Sequence, residues 1–90
     1  MKERQLHETI QELRAELENT PSIDARVREH IQTVLNEIEA LIEEHGEMPS
    51  HRHQHFLERL RESGRHFEES HLSLTLAMGR VIDALSSIGI

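Results

Sequence analysis

Ninety residues with no cysteine make one domain at most and exclude disulfides and a thiolate metal site. Seventeen acidic against ten basic residues give a net charge of −7 with histidine neutral, which opposes nucleic-acid binding, where clustered Lys and Arg supply the affinity. The charged N-terminus holds no apolar signal segment, and Arg80 and Asp83 interrupt the most apolar stretch, so the expectation is a soluble cytoplasmic protein that binds no nucleic acid and no membrane.

Leu6, Ile10, Leu13 and Leu17 are spaced four, three, four, which predicts a helix over 3–19 with a narrow apolar stripe. Pro21 cannot continue it, and Ser22 or Asp24 can cap the next helix. That helix is predicted over 23–45, with the stripe Ile23, Val27, Ile31, Val34 or Leu35, Ile38, and Leu41 or Ile42. Gly46 then reads as a left-handed C-terminal cap. Two striped helices joined by a short turn predict an antiparallel hairpin.

Met48-Pro49-Ser50 is the next break, with Ser50 as a cap. A third helix over 51–69 carries Phe56, Leu57, Leu60 and Phe67, and Gly64 marks a close helix approach. Ser70 can cap a fourth helix over 72–88, and one long helix from 50 to 88 is the alternative. From His71 onward only Arg80 and Asp83 are charged, a pair at i and i+3. Leu74, Met78, Val81, Leu85 and Ile88 repeat at four, three, four, three; Ala77, Ile82 and Ala84 widen that row. Thr75, Gly79, Ile82 and Ser86 form a second, small-residue face. Gly89 and Ile90 read as a Schellman end, with Ile90 against Leu85. A helix apolar or small on most sides is buried on most sides. The last helix is therefore expected to supply the main core and, through Leu74, Met78, Val81, Leu85 and Ile88, a homodimer seam. The expected fold is all-α: a three- to four-helix bundle with an N-terminal antiparallel helical hairpin, completed by homodimerisation.

Several of these segments occur together in a known pattern: the opening stripe, Thr20-Pro21-Ser22, Leu57-Glu58-Arg59-Leu60-Arg61-Glu62-Ser63, Phe67-Glu68-Glu69-Ser70-His71 and Ile88-Gly89-Ile90. The chain resembles a family of short bacterial helical proteins, about 90 residues long like this one, classed as a domain of unknown function. In that family a proline usually follows the histidine matched by His71, and here Leu72 stands there. The resemblance implies a helical fold and bacterial origin and brings no catalytic residues.

The sharpest chemical signal is His51-Arg52-His53-Gln54-His55. On a helix His51 and His55 share one face, and neutral imidazoles there bind zinc, nickel or copper. His51, His53 and His55 are the candidate metal ligands, with Glu58 a further oxygen. A structural zinc site needs four good ligands, and this segment offers two or three. The bland reading is a solvated helix start with adventitious zinc or nickel binding and no cofactor. His7, His30, His45, His66 and His71 are scattered and read as surface or boundary side chains. No serine has an evident base and orienter, and the four glycines are isolated, so no catalytic residues and no enzyme are expected. The expected function is a homo-oligomeric protein-interaction or scaffold module whose acidic hairpin meets an unknown basic protein partner. The alternatives are a histidine-dependent metal binder or sensor, and an acidic inhibitor of a nucleic-acid-binding protein.

Overall fold

The computed structural model describes residues 2–46, 50–65 and 71–88, all of them helices and the turns between them. Helix α1 (Lys2–Glu18) buries Leu6, Ile10, Leu13 and Leu17 completely. Its last turn is closed by the Thr20 hydroxyl, which donates to the Glu16 carbonyl at 2.7 Å, and Pro21 stops any continuation.

Helix α2 (Ala25–His45) starts two residues later than the apolar pattern implies, because Asp24 is its cap. Asp24 has extended backbone, and its carboxylate accepts the Arg26 N–H at 2.7 Å, satisfying one of the orphan donors of the first turn. Ile23 stays outside the helix yet is buried. At the other end Gly46 takes φ 76° and its N–H bonds to the Ile42 carbonyl at 2.7 Å. That left-handed conformation favours glycine.

Helix α3 (Ser50–Gly64) buries Phe56, Leu57, Leu60 and Ser63. The predicted stretch to 69 is shorter here: Arg65 forms a turn on Glu62, and Phe67 and the Ser70 cap lie outside the described residues. So do the Ser50 side chain and the Gly89-Ile90 lock. Helix α4 (Leu72–Ile88) opens at His71, whose carbonyl accepts both the Thr75 N–H and the Thr75 hydroxyl. Helices α3 and α4 pack side by side, so the chain reverses between them and the single long helix does not occur. The Gly64 side of α3 faces Met78, and a Cβ at Gly64 would lie 3.3 Å from the Met78 Cγ. The glycine therefore allows the close approach.

The four helices form a closed ring in which each packs on its neighbours in sequence and α4 returns to α1. The closure between the two end helices is the most extensive contact, and the α1–α2 seam the least. Their shared interior holds Leu6, Ile10 and Leu13 of α1, Leu35 of α2, Phe56 of α3 and Leu74, Val81 and Leu85 of α4, all fully buried. Burying each such side chain contributes about 1.5–3 kcal/mol before the entropy of ordering it is subtracted. One chain thus closes its own bundle, and its core needs no second copy to cover it.

Candidate functional site

The histidine segment opens α3, and packing places His53 and His55 in different surroundings. His53 is half-buried and its Nε2–H donates to the Leu85 carbonyl at 2.6 Å. A carbonyl only accepts, so Nε2 must carry the proton. Leu85 lies in the last turn of α4, where carbonyls lack a helical partner, and His53 satisfies one of them. His55 points to solvent, its ring tilted 6.0 Å from Phe56. Arg52 lays its guanidinium 5.3 Å from the centre of the same Phe56 ring. The His51 side chain lies outside the described residues. Among the described residues no three His, Asp or Glu side chains gather as a metal would require.

The row expected to form a dimer seam is spent inside the chain. Leu74, Val81 and Leu85 have no exposed surface and Met78 has 2 %. Ile88 is partly buried and packs against the same core. A row covered by α1 and α3 of its own chain is not open to a second copy. The periodicity identified residues that share a face, and the chain itself supplies the cover.

The small-residue face of Thr75, Gly79 and Ile82 is flanked by two leucines that the sequence pattern did not single out. Leu72 is 67 % exposed and Leu76 54 %, and they are the exposed large apolar side chains among the described residues. Gly79 continues their line at the next helical step. Beside it runs a groove of about 370 Å³ between α3 and α4, floored by Thr75, Met78, Gly79 and Ile82 and edged by Arg61 and Arg65. The four-three spacing of Leu72, Leu76 and Gly79 is the signal that could have marked this face.

Polar chemistry concentrates on the seam between α1 and α2. Arg14 is its hub: its guanidinium pairs with Glu39, donates to the Asn36 side-chain oxygen at 2.6 Å and reaches Gln32 at 3.3 Å. The His7 Nδ1–H donates to the second Glu39 oxygen at 2.9 Å. This ion pair and these hydrogen bonds run from α1 to α2 and join the two helices. A cleft of about 320 Å³ between α2 and α3 is lined by Arg26, Val27, His30, Arg59, Glu62 and Ser63. Arg59 is already engaged with Glu37 at 3.1 Å. At the end of the bundle Ser22 and His71 are hydrogen-bonded at 2.9 Å, tying the α1–α2 turn to the start of α4.

Charge is unevenly divided among these surfaces. Helices α1 and α2 together carry ten acidic and five basic residues, whereas α3 and α4 carry three acidic and four basic. No helix is long and apolar enough to cross a membrane among the described residues. No curated protein and no solved structure matches the chain. The model of the family described as Domain of unknown function (DUF4404) matches residues 6–90, from the first buried leucine of α1 through all of α4, and the chain belongs to that family.

Proposed function

We propose that this chain is a non-enzymatic, homo-oligomeric protein-interaction module of the bacterial cytoplasm, whose acidic α1–α2 side engages a basic protein partner. The observation that carries this reading is the segregation of charge, with the acidic excess on α1 and α2 and a slight basic excess on α3 and α4. Like-signed fields of this kind steer oppositely charged partners and suppress wrong ones. The absence of cysteine fits a reducing compartment. A nucleic-acid-binding protein is one partner of the required chemistry, which makes the inhibitor reading a special case. The metal reading draws less support, because His53 is occupied by the Leu85 carbonyl.

The test is fluorescence anisotropy with a labelled lysine-rich peptide at rising salt. The wild-type protein should bind with an affinity that falls as salt screens the contact. Changing the exposed Glu18, Glu29, Glu43 and Glu44 to Gln should abolish binding, while changing Glu58 and Glu62 on α3 should leave it intact. Equal loss in both variants, or binding indifferent to salt, contradicts the reading.

A further inference from the structure

We infer that a second copy of this chain docks on the outward face of α4, with Leu72 and Leu76 of each copy seated against Gly79 and the α3–α4 groove of the other. The inference rests on the homo-oligomeric reading above and gives it a surface.

The first observation is Gly79. It lies in the middle of a 17-residue helix, where glycine weakens the helix, and it does not take the positive φ that would call for one. Its neighbour in the fold, Gly64, is explained by Met78. A Cβ built on Gly79 meets nothing within 4 Å. Nothing within the chain uses the space that this glycine keeps open, so the space serves a body outside it. A missing side chain on an exposed helix lets another helix backbone approach closely.

The second observation is the apolar pair beside it. Leu72 and Leu76 stay in water while every other described leucine is buried or packed against the core. Knob and hollow thus lie side by side on one face of one helix. A surface that carries both can complement itself across a two-fold axis, which is what an isologous interface requires. With two α4 helices antiparallel, each Leu76 falls near the other copy's Gly79.

Charge selects a second copy over a foreign apolar helix. Two chains of −7 repel over most of their surface, and α4 carries just one acid and one base. That face is where two copies meet with least repulsion. Asp83 lies on the same outward face as Leu76 and makes no ion pair among the described residues, and neither do Arg61 and Arg65 at the groove. An antiparallel pairing brings each Asp83 toward the basic edge of the other copy, an attraction that offsets part of the net repulsion.

Sedimentation equilibrium of the untagged full chain tests this, with circular dichroism on each variant. Wild type should form a dimer. Leu76→Glu and Gly79→Leu should each raise the dimer dissociation constant at least about tenfold with helix content unchanged, since neither site touches the core. Gln11→Glu, an equal added charge on the exposed side of α1, should leave the dimer intact. A wild-type monomer at every concentration overturns both this surface and the homo-oligomeric reading. A dimer unmoved by both α4 variants overturns the surface and leaves that reading standing. An open series of larger species overturns the two-fold arrangement.

Discussion

A methyl group added at Gly64 or at Gly79 meets two different surroundings. At Gly64 it would lie 3.3 Å from the Met78 Cγ, in the interior contact between α3 and α4. At Gly79 it enters open space. In a Leu76→Glu background, where association does not contribute, Gly79→Ala should raise stability by about 0.5–1 kcal/mol through helix propensity. Gly64→Ala should give no gain. Urea unfolding followed by circular dichroism separates them, and equal gains at both positions would mean that the Met78 contact does not hold α3 against α4. His53 teaches a related lesson about single residues. Spacing alone places His51 and His55 on one face, but it does not say which ring the fold will claim. The structure gives the His53 ring to the last turn of α4, a long-range contact with no trace in the local pattern.

Helix α4 carries two apolar rows with different roles. Leu85 is fully buried and Leu76 is 54 % exposed. Leu85→Ala should therefore cost about 2–5 kcal/mol, by lost burial and the cavity left behind. Leu76→Ala should stay within about 0.5 kcal/mol in the monomer. Similar losses in chemical denaturation would contradict the placement of the two faces. The helical segments and their inward rows were legible in sequence because period and caps are local properties: Pro21, Asp24 and Gly46 act within one turn of themselves. What covers each row was not legible. A period tells which residues share a face, and the same Leu74, Met78, Val81 and Leu85 row suits a core or a seam equally well. Helix α1 decides it by packing back on α4, a contact between the two ends of the chain. The reversal between α3 and α4 was ambiguous for a similar reason. No proline marks it, and the opening of α4 rests on the His71 carbonyl, with the His71 ring hydrogen-bonded to Ser22 of the α1–α2 turn, distant in sequence.

On the scale of the whole molecule, the division of labour is between an interior and two surfaces. The bundle, 35 × 21 × 18 Å across, closes its own core. Its α1–α2 side carries the acidic excess, and α4 presents a nearly uncharged apolar face. The polar seam of Arg14, Glu39 and His7 holds the acidic hairpin together while leaving its outer carboxylates in water. The central claim is that the core belongs to one chain and association to the outside of α4. It is tested most directly by the urea midpoint of wild type and Leu76→Glu, each at two protein concentrations about a hundredfold apart, since an associating protein gains stability by mass action. The account predicts a cooperative transition in both proteins, with a midpoint that rises with concentration in wild type and stays fixed in Leu76→Glu. Loss of the cooperative transition in Leu76→Glu, or a midpoint that still rises with concentration, would contradict it.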